Sequence, residues 1–195
     1  MSDVKSILDR IIKCAKGAAL MTETEVEVKV EHGCCEFYPN KKYADLTYNV
    51  MKEIPLPVYT ANELQYAAHL QTTIAPAAVK AEADTYGALE ILHSSLAPRD
   101  IGKKIRMNAS SDSGDVSYMM PMNLFTVAGW PFGVAPHTWQ ASACAGGSIG
   151  AKATVYAAKV IAATGYELLT NPAKAEEIIA EFKAANVEYV PMYND

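Results

Sequence analysis

Apolar residues recur at every third or fourth position in five stretches of the chain, a spacing that places them on one face of a helix. Residues that commonly cap helices stand at the start of most of these stretches, and prolines end two of them. The predicted helices begin after Ser2, Asn40 and Asn171, span Thr60–Ile74 with Pro76 closing it, and run from about Gly146 to Leu169. The Ala77–Leu96 stretch is ambiguous, and we interpret it as a loop followed by a short helix ending near Ser94.

The period changes to two between residues 25 and 31. Val26, Val28 and Val30 alternate there with charged residues, which predicts a strand with one buried and one solvated face. Further short strands are predicted at Lys104–Asn108 and Asn123–Ala128, with a candidate edge strand at Val187–Val190. Because one strand cannot bury a face by itself, its partners must come from later strands, from a second copy of the chain or from a segment that this sequence lacks.

Helices mixed with few strands predict a layered α/β or α+β fold. The Pro55-Leu56-Pro57 stretch is the best candidate for a domain boundary, because prolines interrupt regular structure there. The sequence therefore predicts two parts, residues 1–57 and residues 58–195.

The composition of the chain argues against some classes of binding partner. Half of the 195 residues are apolar, so the chain can bury a sizeable core. The 17 basic and 22 acidic residues give a net charge of -5, and no basic run with interleaved aromatics occurs, which argues against nucleic acid as a partner. No apolar run reaches the roughly 20 residues of a membrane span, and no signal peptide pattern is present, so we expect no membrane partner and a cytoplasmic protein.

The stretch from Asn108 to Gln140 contains the candidate chemistry. Side chains with oxygen atoms cluster around Gly114, and His137 follows on a loop interrupted by prolines and glycines. Hydroxyls, carboxylates and an imidazole on loops suit a metal site or a site for a polar substrate. The clustered residues are Ser110, Ser111, Asp112, Ser113 and Asp115.

Three interpretations of these residues remain open from their chemistry alone. A Ser-His-Asp triad of Ser111 or Ser113, His137 and an aspartate lacks the G-x-S-x-G context that exposes a nucleophile. Asp112 and Asp115 could instead bind a cation or orient a polar substrate. His137 could ligate a zinc-like metal, but a catalytic zinc needs about three protein ligands and we identify only one. The site is therefore incomplete on first principles.

The segments Ser111-Asp112-Ser113-Gly114-Asp115-Val116-Ser117 and Pro136-His137-Thr138-Trp139-Gln140 together resemble the C-terminal signature of the M20 family of metallopeptidases and amidohydrolases, in particular its aminobenzoyl-glutamate hydrolase branch. The segment from Ala15 to Met21 and the alternating stretch that ends at Tyr38-Pro39-Asn40 resemble the second half of that family's inserted lid, or dimerisation, domain. The resemblance spans nearly the whole chain.

The resemblance implies that the chain is the C-terminal portion of such an enzyme. Residues 1–57 would be half of an α+β lid, and residues 58–195 part of an α/β catalytic domain. The family hydrolyses amide bonds of N-acyl amino acids or peptides with two divalent metals, zinc or manganese, and a glutamate base. His137 would be a metal ligand, and Ser111, Asp112, Ser113, Gly114 and Asp115 would line the substrate side of the cleft.

The chain lacks much of the family's site. The other metal ligands, the catalytic glutamate and the first half of the lid have no counterpart here, so we assign no catalytic residue to this chain and expect weak or no metal binding and no activity from it alone. Glu36 stands where relatives often have asparagine, which puts a substrate contact from the lid in doubt. The alternative to an enzyme fragment is a module for assembly, either a homodimer or a complement to a separate N-terminal polypeptide.

Overall fold

The computed structural model describes residues 2–87, 90–103, 105 and 109–191, and all its regular elements over these residues are helices. The helices are α1 (Ser2–Met21), α2 (Lys41–Glu53), α3 (Ala61–Gln71), α4 (Pro76–Tyr86), α5 (Ser113–Met119), α6 (Trp139–Ala145), α7 (Ser148–Thr170) and α8 (Pro172–Ala185), with a 3-10 turn at Ile101–Lys103. The predicted helices at α1, α2, α3, α7 and α8 are confirmed. None of the described helices is long and apolar enough to cross a membrane.

The chain divides into two compact units. Unit one comprises Met1–Asn40, Asn108–Met122 and Ala180–Asp195, and unit two comprises Lys41–Met107 and Asn123–Ile179. The residues of each unit contact one another more than they contact the other unit. The domain boundary predicted at residue 57 remains a prediction.

The centre of unit two is the packing of α2 against α7. Val50 of α2 and Tyr156 and Val160 of α7 are buried together, because the helical period puts them on facing sides of the two helices. Each such side chain contributes about 1.5–3 kcal/mol when fully buried. The Tyr156 hydroxyl donates a hydrogen bond to the carbonyl of Met51 at 3.3 Å, which satisfies the polar tip of an otherwise apolar contact.

A second anchor of unit two joins α3 to α7. Thr60 and Glu63 form the predicted capping box at the start of α3, with 2.7 Å between the Thr60 nitrogen and a Glu63 carboxylate oxygen. Lys152 of α7 donates to the same oxygen at 2.6 Å. The hydrogen bond from Lys152, followed by the one from the Thr60 backbone, lowers the pKa of Glu63 to about 2. Glu63 thereby links the N-terminal cap of α3 to the side of α7.

Unit one contains α1, the segment from residue 24 to 40, α5 and the C-terminal tail. Leu8 and Ile12 of α1 are half-buried, whereas Val4, Ile7 and Ile11 are 45–57% exposed. Lys5 donates a hydrogen bond to the carbonyl of Pro191 at 3.3 Å, which connects α1 to the tail. The helix is amphipathic as predicted, but part of its apolar surface faces solvent.

The predicted strands are wrong wherever the structure describes them. Residues 24–40 have no regular secondary structure, and Val26, Val28 and Val30 remain 38–41% exposed. Residues 123–128 and 187–190 also lack strand pairing, whereas Lys104–Asn108 lies outside the described residues except for Ile105. A strand forms only when a neighbour accepts its backbone hydrogen bonds, and the described part of the chain supplies none. The predicted α/β class is thus confirmed only in its helical part.

The prediction for Ala77–Leu96 is also wrong. The helix of this stretch, α4, begins at Pro76 and ends before Gly87, whereas residues 90–96 are not helical. Proline suits the first helical position because its missing N–H has no helical partner, so Pro76 opens a helix instead of closing one. Gly87 ends α4 in a left-handed conformation, with φ of 65°.

Candidate functional site

The predicted substrate-lining segment begins a short helix, α5, that packs on residues 35–38 of unit one. Gly114 is buried, and a side-chain carbon added to it would lie 1.9 Å from the carbonyl oxygen of Cys35. One turn later, Ser117 is 1% exposed, and its hydroxyl accepts a hydrogen bond from the Tyr38 amide at 2.8 Å. The rings of Tyr38 and Tyr118 lie 5.8 Å apart. Glycine is required here because the two backbones approach more closely than any side chain allows.

Asp115 takes part in the same contact. Its carboxylate accepts a hydrogen bond from the Cys35 amide at 3.4 Å. Burial raises the pKa of the Cys35 thiol, and a hydrogen bond to Asp115 raises it further. The pKa of Tyr189 in the tail is raised by burial and then by the charge of Asp115 and a hydrogen bond to it. Asp115 therefore joins three segments of unit one that are distant in sequence.

Glu36 also turns toward α5. Hydrogen bonds from its own backbone amide and from the Tyr118 hydroxyl lower the pKa of its carboxyl group. Burial and the hydrogen bond to Glu36 raise the pKa of Tyr118. Glu36 is thus held by interactions with α5 within unit one.

Ser111 and Asp112 lie at the entrance to α5 and are exposed. Together they border a cleft of about 640 Å³. The Ser111 hydroxyl donates to the Asp112 carboxylate at 3.1 Å and lies 3.1 Å from the hydroxyl of Ser113, which is half-buried. Hydroxyl and carboxylate oxygens are therefore presented along one edge of an open cleft. The other lining residues are Val4, His32, Gly33, Cys34 and Ser110.

His137 belongs to unit two. It is exposed and has a φ of 62°, in the left-handed region that residues other than glycine seldom adopt. The next residue, Thr138, caps α6, and its hydroxyl accepts a hydrogen bond from the Ala141 amide at 3.3 Å while donating to the Ala135 carbonyl at 2.8 Å. These two bonds close the turn that carries His137.

The predicted site residues belong to two different units. Residues 111–115 lie together at the start of α5 in unit one, and His137 belongs to unit two. Across the described residues, no three side chains of histidine, cysteine, aspartate or glutamate are arranged to hold a metal ion. The donors of this part of the chain do not fit a complete metal centre, and one imidazole is too few for catalytic zinc.

Sequence reasoning missed Cys35 and Tyr38 as partners of α5 and assigned no role to Ser117. Gly114 and Ser117 are three residues apart, which places them on the same face of a helix. This spacing would have predicted that Gly114 and Ser117 face the same neighbour, if the sequence had indicated a helix at α5. The segment is only seven residues long, however, and its serines and glycine are poor helix formers.

Comparison with curated proteins identifies a relative in Escherichia coli (strain K12), a subunit of p-aminobenzoyl-glutamate hydrolase. It is 31% identical to this chain over 191 residues, covering 91% of this chain and 40% of the relative. The chain therefore spans less than half the length of the curated relative that it matches. No family model matches the chain, and no solved structure is significantly similar to it. The similarity confirms the resemblance deduced from the sequence motifs.

Proposed function

Because this chain is related over most of its length to part of an M20-family protein, we propose that it is one portion of a metal-dependent amidohydrolase. The relative's name indicates hydrolysis of p-aminobenzoyl-glutamate, an amide of an amino acid. We infer a substrate of the same class, an N-acyl amino acid or small peptide. The observation that carries this proposal is the 31% identity across 91% of the chain.

The geometry of unit one supports separate roles for the five predicted substrate residues. Ser111 and Asp112 border the cleft and, with Ser113 beside them, would provide hydrogen-bond partners for the polar groups of a substrate. Gly114 and Asp115 contact Cys35 and would act indirectly, by shaping the cleft.

His137 would be the contribution of this chain to a metal centre. An exposed imidazole on an anchored loop is suited to ligating zinc or manganese. The remaining ligands and a general base would have to come from another polypeptide or another part of a longer one. No catalytic step is therefore assigned to this chain by itself.

Complementation tests the proposal. The purified chain would be mixed with a polypeptide corresponding to the uncovered part of the Escherichia coli relative, in the presence of zinc or manganese, and release of p-aminobenzoate from p-aminobenzoyl-glutamate would be measured. We expect turnover only in the mixture, with loss in His137→Ala and strong reduction in Asp112→Asn. His69→Ala is the matched control, because His69 is an exposed histidine on α3. Turnover by the isolated chain, or full activity of the mixture with His137→Ala, would refute the assignment.

A module for assembly is the second candidate function, and the exposed face of α1 favours it. Val4, Ile7, Ile11, Cys14, Ala18 and Met21 alternate in steps of three and four, and all six are exposed. This is the spacing of a helix-pairing seam. A separate N-terminal chain or a second copy of this one would cover that surface.

Association through α1 can be measured by analytical ultracentrifugation of the chain with and without the complementing polypeptide. We expect Ile7→Glu to weaken association, since it places a charge in the apolar seam. Ser6→Glu, one residue away and outside the seam, is the control. Unchanged association in Ile7→Glu would contradict the role of α1.

A further inference from the structure

The loop that carries His137 is anchored by buried residues on its N-terminal side. Pro131, Phe132 and Val134 are all buried, although the loop ends at an exposed histidine. The backbone of Phe132 is fixed at both ends, because its amide donates to the carbonyl of Ile91 at 3.3 Å and its carbonyl accepts from the Gln71 side chain at 3.0 Å. The loop therefore has a defined path over unit two.

Gly133 is held directly on α4. Its φ is 88°, and an added side-chain carbon would lie 2.7 Å from a methyl group of Val79 and 3.0 Å from the Val79 α-carbon. One turn further along α4, the half-buried carboxylate of Glu82 accepts the Gly133 amide hydrogen bond at 2.6 Å. A hydrogen bond to a charged acceptor is stronger than one between neutral groups. Val79 and Glu82 thus fix the position and the direction of the Gly133 peptide.

His137 has a left-handed backbone conformation that the anchored loop helps to maintain. Such a conformation costs on the order of 1–3 kcal/mol for a residue other than glycine and persists only when its surroundings impose it. The Thr138 turn fixes one side of His137, and the Gly133 contact fixes the chain four residues before it. Loss of the Gly133 contact would leave the buried Val134 to hold this part of the loop, and we expect His137 to relax toward an ordinary φ.

We propose that Glu82 is a positioning residue for His137, acting from α4 through the Gly133 amide to maintain the left-handed backbone that presents the imidazole. The chemical use of that imidazole rests on the function proposed above, but its presentation by Glu82 does not. The contact lies wholly within unit two.

Nuclear magnetic resonance of the isotopically labelled chain tests this inference. The one-bond coupling between the α-carbon and α-proton of His137 reports a positive φ, and amide exchange of Gly133 reports its hydrogen bond. In Glu82→Ala we expect exchange of Gly133 to accelerate about tenfold or more, since a charged acceptor is lost, and the His137 coupling to move toward the value of ordinary φ. Glu82→Gln retains an acceptor oxygen and should restore the His137 coupling.

Asp84→Ala is the matched control, because Asp84 is an exposed carboxylate on α4 that pairs with Lys80 at 2.7 Å. It should leave both readouts of the loop unchanged. If Glu82 only stabilised unit two, exchange in α7 would accelerate together with Gly133 while the His137 coupling stayed constant, and that result would overturn the inference. Failure of the complementation experiment with an intact His137 response would instead count against the proposed function alone.

Discussion

Replacement of Gly114 by alanine tests whether α5 docks on residues 35–38 as the structure shows. The new methyl carbon would lie 1.9 Å from the carbonyl oxygen of Cys35 and 2.8 Å from its carbonyl carbon. An ordinary contact between carbon and oxygen is about 3.3–3.6 Å, so the two backbones would have to separate by more than about 1 Å. No side-chain rotation relieves this clash, because both partners are fixed by the backbone.

Two opposing terms determine the effect on the free energy of unfolding. Overpacking costs about 1–3 kcal/mol, while replacing glycine by alanine inside a helix contributes about 0.5–1 kcal/mol of stability. Separation of the backbones would also lengthen the hydrogen bond from the Tyr38 amide to Ser117, now 2.8 Å. We therefore expect Gly114→Ala to destabilise unit one by about 1–2 kcal/mol.

Urea unfolding followed by circular dichroism, together with amide exchange of Tyr38, measures this effect. Gly17→Ala is the control: Gly17 lies in α1 of the same unit, and an added carbon there meets nothing within 4 Å. That variant should gain about 0.5–1 kcal/mol from helix propensity. If Gly114→Ala gained stability to the same extent and kept the Tyr38 amide protected, the close approach of α5 to Cys35 would be refuted.

Three further predictions concern other contacts. Both ring nitrogens of His93 are buried and have no hydrogen-bond partner in the described part of the chain. Burial lowers the pKa of His93 from the ordinary 6.5, so stability should fall as the pH drops below 6.5; His93→Phe should remove this dependence and add about 1 kcal/mol in urea unfolding. The pKa of Glu63 is lowered to about 2, so the stability that its carboxylate contributes should be present above pH 4.5 and lost as the pH falls toward 2. Glu63→Gln should reduce this loss of stability in acid titrations. Thr60→Ala, which removes the cap of α3, should cost about 1 kcal/mol at neutral pH. Ser117→Ala leaves a backbone amide without its acceptor and should cost about 1–3 kcal/mol by thermal or urea unfolding.

Local signals in the sequence predicted much of unit two. The Thr60–Glu63 spacing identified the start of α3, and the three-to-four period identified α2 and α7 together with the face that buries Val50 and Tyr156. Such features depend on residues close in sequence, and the helix satisfies its backbone hydrogen bonds internally. Their prediction therefore needs no knowledge of tertiary contacts.

The candidate site was predictable in composition but not in geometry. The residues around Gly114 were recognised as a polar cluster, yet the contact of Gly114 with Cys35 joins segments about 80 residues apart. Nothing in the local sequence distinguishes Asp112, which borders the cleft, from Asp115, which accepts the Cys35 amide. By the inference above, the left-handed backbone of His137 likewise depends on a contact distant along the chain, the one between Glu82 and Gly133.

The strand prediction at residues 25–31 was wrong for a different physical reason. Alternation of valines with charged residues specifies which face a strand would bury, but strand formation also needs a neighbour that completes the hydrogen bonds. Among the described residues that neighbour is absent, and the three valines remain partly exposed, as do Val4, Ile7 and Ile11 of α1. In unit two, by contrast, Val50 and Val160 are almost wholly buried. Among the described residues, almost all fully buried apolar side chains thus lie in unit two, and the chain spans only 40% of its curated relative. The scarcity of buried apolar side chains in unit one is what we expect if the covering surface belongs to another polypeptide or to another part of a longer one. Under the function proposed above, one complementing chain, or the rest of a longer one, would supply both the strand partner for residues 25–31 and the catalytic residues.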